Sequence, residues 1–152
     1  MATKNNSVQI DIQSSFEMVD LVQVVFESLS SDVGFDADAS HWMSVAIRES
    51  VTNAVRHGNK LDATKRVIIR FEVGEGEFSV SVEDEGQGFD PNQIPDPLAE
   101  ENLLRASGRG IFFMKNFMDE VTYNFEPNGG TRVTMVKRVA GHGDGARDGG
   151  GA

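Results

Sequence analysis

The run from Arg66 to Asp84 constrains the fold more than any other part of the chain. Two segments, Arg66–Val73 and Glu77–Asp84, alternate apolar and polar side chains, and only Gly74-Glu-Gly76 separates them. A period of two places one set of side chains on each face of a strand. A join this short suits an antiparallel hairpin, whereas a parallel pair needs a long crossover. The chain is therefore steered towards an antiparallel sheet with one covered face.

The rest of the sequence supplies partners for that sheet. Val8 to Ile12 alternates in the same way and reads as a first strand. Ser14 and Glu17 stand at capping-box spacing, and Met18, Leu21, Val22, Val25 and Leu29 recur with helical period. They predict an amphipathic helix that ends in the turn region Ser30–Asp38. Its stripe can serve the core, and part of it a partner surface. Asp38 or Ser40 is placed to cap a second helix running to about His57, with Val45, Ile47, Val51, Ala54 and Val55 on its apolar side. Gly58-Asn59 is the expected stop. Glu100–Arg105 reads as a short helix and Ile111–Met118 as a firmer one. Val121–Phe125 and Thr131–Lys137 read as strands flanking Pro127-Asn-Gly-Gly130.

Each helical stripe needs a sheet face to cover. The expected fold is a two-layer α/β sandwich, a mixed, mainly antiparallel sheet covered by helices on one face, spanning residues 8–138. A Rossmann arrangement fits worse, because Gly86-Gln-Gly88 opens no clean helix and regular strand–helix alternation is missing. Residues 141–152 are rich in Gly, Ala and Asp without apolar periodicity, so a disordered tail is expected.

Composition narrows the function. A chain of 152 residues can bury one core. Its 24 acidic and 14 basic residues give a formal charge of −10, a field that repels nucleic acid and anionic membrane surfaces. No direct nucleic-acid or membrane partner is expected. Cysteine is absent, which removes disulfides and thiolate metal sites. No signal peptide or span-length apolar run is seen, and cytoplasmic residence is the expectation.

Three clusters carry the candidate chemistry. In Glu49-Ser-Val-Thr-Asn53 a carboxylate and an amide lie four apart, hence on one side of a helix. A carboxylate there can accept a proton from an attacking hydroxyl, and the neutral amide oxygen of Asn53 can hold Mg²⁺ without adding charge beside phosphates. A solvated glutamate, or a partner of Arg48 or Arg56, is the bland reading of Glu49. A buried loop-capping amide is the bland reading of Asn53. His57 stands one turn further on, at a phosphate, a metal-supporting or a purely structural position. Asn59 is placed at a phosphate or a turn.

Asp84-Glu-Gly86-Gln-Gly88 forms the second cluster. A carboxylate can accept the exocyclic N6–H of adenine, where guanine presents a carbonyl. Gly86 and Gly88 allow a close backbone turn beneath a base and ribose. An acidic surface loop is the plainer alternative. The third cluster, Gly108-Arg-Gly110, precedes a helical pattern and can offer backbone amides to phosphate. Arg109 and Arg105 can add charge there or face solvent. Thr131, after Gly129-Gly130, can bond to Asp84, to water or to the adenine edge, or simply enter its strand. Taken in order, these pieces supply the polar parts of an ATP site.

These motifs resemble the ATPase fold shared by DNA gyrase and sensor histidine kinases, the histidine-kinase-like ATPase fold. Within it the chain is most similar to the RsbW-type anti-sigma serine/threonine protein kinases. Glu49 and Asn53 match the first ATP motif, Asp84, Gly86 and Gly88 the second, Gly108 and Gly110 the third, and Gly129-Gly-Thr131 the closing strand. The resemblance implies ATP and Mg²⁺ as cofactors, with Glu49 as the catalytic carboxylate, Asn53 as the magnesium residue and Asp84 as the adenine reader. Gly108 and Gly110 would belong to the phosphate loop and Pro91–Ser107 to a lid. It also implies phosphate transfer to a serine or threonine of an anti-sigma-factor antagonist, a sigma-factor partner, and a homodimer. The rival reading is an ATP-regulated protein-binding module with little or no kinase activity. A gyrase-like ATPase and a complete sensor histidine kinase are disfavoured. No transducer domain and no helix pair carrying a phosphoacceptor histidine can be read in this sequence.

Overall fold

The computed structural model describes residues 6–86, 115–126 and 129–138. In chain order these form β1 (Asn6–Gln13), α1 (Glu17–Val33), α2 (Ala37–Asn53) with a π turn (Ala54–Gly58), β2 (Arg66–Gly74), β3 (Glu77–Asp84), β4 (Glu120–Glu126) and β5 (Gly130–Arg138). The expected helix at 100–105, most of that at 111–118 and the 141–152 tail lie outside the described residues, although 115–117 are helical.

The strands form one sheet in the order β1-β2-β3-β5-β4. All four described pairings are antiparallel. The expected β2–β3 hairpin closes at Gly74↔Glu77, with Gly76 at φ +70, a conformation glycine adopts without a Cβ penalty. Alternation then sorts the faces. Val67, Ile69 and Phe71 of β2 and Phe78, Val80 and Val82 of β3 are buried on one face. Arg70, Glu72, Ser79 and Ser81 share the other, where Arg66–Asp11 and Arg132–Glu83 pair across strands.

α1 and α2 cover the apolar face. Val19, Val22 and Phe26 from α1 meet Met43, Ala46, Ile47 and Val51 from α2 above the sheet. Phe78 is the aromatic centre, with Phe26, Phe35 and Phe71 rings 5.6, 5.9 and 6.0 Å from it. Leu21 departs from the expected core stripe and is 48 % exposed, because Val22 beside it takes the inward position.

The helix starts differ from the sequence expectation. Ser14 does not cap α1. Its buried hydroxyl donates to the Lys65 carbonyl at 2.7 Å, and the neighbouring Ser15 Oγ accepts from Glu17 N at 3.2 Å at the start of α1. The cap of α2 is Asp36, whose carboxylate accepts from Ala39 N at 2.7 Å. Asp38 and Ser40 lie inside the helix instead. The second helix does continue past Asn53, but as a π turn, with Asn59 N donating to Ala54 O at 2.8 Å. Lys60 and Leu61, and not Gly58, take the left-handed conformations that follow.

Candidate functional site

Asp84 ends β3 on the apolar face of the sheet. Register puts Ile12 opposite Val67 and Val67 opposite Asp84, so a carboxylate terminates an otherwise apolar row. It is 6 % exposed and is the one buried carboxylate among the described residues. Burial of a carboxylate is costly unless its lone pairs are met. Its Oδ1 accepts from Gly86 N at 2.9 Å, an Asx turn, and from Thr131 N at 3.2 Å. Burial pushes the Asp84 carboxyl above the ordinary carboxylate value, and these two backbone bonds offset part of that rise. Among the described residues no donor is bonded to Oδ2.

Three glycines shape the space around this carboxylate. A Cβ at Gly58 would lie 2.2 Å from Asp84 Oδ2. One at Gly86 would lie 2.4 Å from the Gly58 carbonyl oxygen and 3.0 Å from Asp84 Oδ1. Gly130, at φ +93, abuts the Asp84 backbone carbonyl. Gly86, expected in a turn beneath a base and ribose, packs against Gly58 and Asp84, and Gly58 and Gly130 were not foreseen as walls. Thr131 reaches Asp84 through its backbone N–H.

Glu49 and Asn53 lie on one shoulder of α2 with Trp42, Val45 and Thr52, all half-buried. Trp42 stacks on Phe117 with ring centroids 4.8 Å apart and planes 7° apart. That shoulder thus faces the segment after residues 87–114, where the glycine motifs are written. The bland partners of Glu49 are engaged elsewhere. Arg48 bonds Asp20 at 2.8 Å and Gln23 at 2.6 Å, and Arg56 lies over the Phe16 ring at 5.3 Å. His57 lies in the π turn after Asn53 and is exposed.

Asn59 was placed by sequence at a phosphate or a turn. It is fully buried, and its amide joins three strand ends. Gly88, Arg105, Gly108, Arg109 and Gly110 lie outside the described residues. Among the described residues no group of three or more His, Cys, Asp or Glu side chains is arranged to hold a metal. A cavity of about 260 Å³ opens on the polar face of the sheet around Arg70, Ser79, Ser81 and Arg132, on the side opposite the face that Asp84 shares with Val80 and Val82. No described helix is long and apolar enough to cross a membrane.

The family model of the histidine kinase-like ATPase domain matches residues 12–137. The chain is 31% identical over 146 residues to the serine-protein kinase RsbW of Bacillus subtilis, covering 91% of this chain and 90% of that one. It is 30% identical over 146 residues to the RsbW of Staphylococcus aureus, covering 91% of each. The chain belongs to the histidine kinase-like ATPase family, in its RsbW branch. A solved structure of the RsbU and RsbW domains of a Mycobacterium tuberculosis protein superposes with a TM-score of 0.65 at 20% identity. That match covers 88% of this chain and 32% of that one, and it supports the fold. Among the described motif residues, Asp84, Gly86, Gly130 and Thr131 meet at one corner of the sandwich, where β3 ends beneath the π turn.

Proposed function

We propose that this protein is an ATP-dependent serine/threonine kinase and anti-sigma factor that phosphorylates an anti-sigma-factor antagonist in a partner-switching pathway. The observation that carries the reading is the buried Asp84 carboxylate, held in a glycine cradle at the end of β3 in a chain of the RsbW family. An acid buried at this cost, with one oxygen held by two amides, is suited to reading a polar edge of a base.

The residues divide the work. Asp84 Oδ2 takes the adenine amino group, and the turn at Gly86 and Gly88 passes close to the base. Glu49 positions the serine or threonine hydroxyl of the antagonist and takes its proton as the oxygen attacks the γ-phosphorus and ADP leaves. Mg²⁺, when bound, neutralises phosphate charge. Asn53 is the residue that would hold it, with phosphate and water oxygens as the other ligands. Gly108 and Gly110 hold phosphate through backbone amides, with Arg105, Arg109 and His57 as supporting cations or donors and Thr131 beside the base.

The partner side of the proposal is an antagonist substrate, a competing sigma factor and a homodimer. Phosphorylation adds charge to the antagonist and weakens its hold on an acidic kinase of formal charge −10. Affinity purification from the native cell with ATP and Mg²⁺, followed by phosphosite mass spectrometry, tests it. Recovery of a sigma factor and of an antagonist carrying phosphoserine or phosphothreonine is expected. Reproducible recovery of an unrelated complex with neither would contradict it.

A further inference from the structure

We infer that Asn59 is a positioning residue for base selection: its buried amide fixes the place of the Asp84 carboxylate from both sides. The inference rests on the reading of Asp84 as the adenine-contacting group. It turns Asn59, placed by sequence at a phosphate or a turn, into a positioning residue with a measurable part in selectivity.

The amide is used completely. Asn59 Nδ2 donates to Ser14 Oγ at 2.7 Å and to the Arg66 carbonyl at 2.9 Å. Its Oδ1 accepts from Glu85 N at 2.8 Å. An asparagine side chain has two N–H donors and one carbonyl, so each is engaged, at 0% exposure. Ser14 passes the connection on by donating to Lys65 O at 2.7 Å. Glu85 closes a ring, since its carboxylate accepts from Arg66 N at 2.6 Å. One side chain therefore locks the end of β1, the start of β2 and the end of β3.

Both neighbours of this amide matter for Asp84. Gly58, the preceding residue in the chain, is the wall against Oδ2, with room for no Cβ. Glu85, whose N–H the amide holds, is the residue after Asp84 and leads into Gly86, whose N–H holds Oδ1. Loss of the amide frees the wall and the turn together. A hydrogen bond to a base is sensitive to displacements of a few tenths of an ångström and to angle. A carboxylate held less firmly discriminates less between an amino group and a carbonyl at the same ring position.

The test compares the affinities of the purified chain for ATP and for inosine triphosphate, which carries a carbonyl where adenine carries its amino group. Wild type, Asn59→Ala, Asp84→Asn and the double variant are titrated with Mg²⁺, and thermal unfolding is followed in parallel. Asn59→Ala is expected to reduce the ATP preference by about tenfold, with the gain in ATP affinity from Mg²⁺ unchanged. The double variant should show no further loss beyond Asp84→Asn, because the two act as one unit. Val22→Ala, a buried change on α1, should lower the unfolding temperature and leave the preference intact. A wild-type preference in Asn59→Ala, together with its loss in Asp84→Asn, would overturn the inference alone. An unchanged preference in Asp84→Asn would overturn the reading of Asp84 on which it rests. If Asn59→Ala does not fold, Ser14→Ala replaces it. It removes one acceptor of the amide, and a fall of about threefold supports the inference while an unchanged ratio contradicts it.

Discussion

Gly58 and Asp84 are fitted so closely that one methyl group would overfill the space between them: a Cβ at residue 58 would stand 2.2 Å from Oδ2 and 2.4 Å from Cγ. The carboxylate cannot yield easily, because its other oxygen is held by Gly86 N and Thr131 N. Gly58→Ala is therefore expected to cost about 1–3 kcal/mol in chemical denaturation. It should also weaken ATP binding by at least about tenfold in calorimetric titration, since the acceptor must move. Wild-type stability and affinity in this variant would show that the cradle is looser than described.

Asp84 itself trades stability for binding. Its carboxyl is pushed up by burial, partly offset by bonds from Gly86 and Thr131. A carboxyl whose folded value lies above its unfolded one contributes stability below the unfolded value and loses it as pH rises through the folded value. The window opens just above the ordinary 3.8. Asp84→Asn should then be at least as stable as wild type at pH 7, with the difference shrinking towards acid pH, and should bind ATP poorly. Urea unfolding across that range measures it. A variant less stable than wild type by the same amount at every pH would contradict the assignment.

Tyr123, the sole tyrosine, lies on β4 and stacks on Phe125 with centroids 5.6 Å apart. Burial pushes its hydroxyl up to about 12. Ultraviolet titration of tyrosinate in the folded chain should show ionisation beginning well above the ordinary value of 10.0. By the same linkage, this side chain supports folding fully below 10.0 and ceases to do so as pH climbs through about 12. Ionisation at the ordinary value in the folded protein would place the ring in water.

Ser50 turns inward from α2, 3% exposed, and its Oγ has no hydrogen-bond partner among the described residues. A buried hydroxyl without a partner is destabilising, and alanine is the better helix former. Ser50→Ala should raise stability by about 0.5–2 kcal/mol and leave ATP binding unchanged, although Glu49 is its neighbour in sequence. A fall in stability would reveal a bond that this serine makes in solution.

The hairpin, the two covering helices and Asp84 at a strand end were legible because their signals are local: alternation, helical period and a short glycine turn. The cap of α1 was misread because the Ser14 hydroxyl is claimed by Lys65, a residue 51 positions away. The same is true of the glycine cradle. Gly58 reads as a helix stop, Gly86 as a turn beneath a base and Gly130 as a turn residue until the sheet brings them around one carboxylate. The π turn has no marker in sequence. It follows from the need to set Gly58 against Asp84 and Asn59 beneath three strand ends. Leu21 and Val22 are equally apolar, and only packing decides which of two adjacent residues faces the sheet.

The central claim is tested most directly by phosphate transfer in Glu49→Gln. Purified chain, Mg²⁺ and ATP labelled in the γ position are mixed with the antagonist recovered from the native cell, and label on the antagonist is followed beside ATP affinity. Wild type is expected to label a serine or threonine of the antagonist. Glu49→Gln should bind ATP within about threefold of wild type and transfer label at least about a hundredfold more slowly, because it keeps the side-chain shape and loses the proton acceptor. Transfer by Glu49→Gln at the wild-type rate, or ATP binding by wild type with no label reaching the antagonist, would contradict the account.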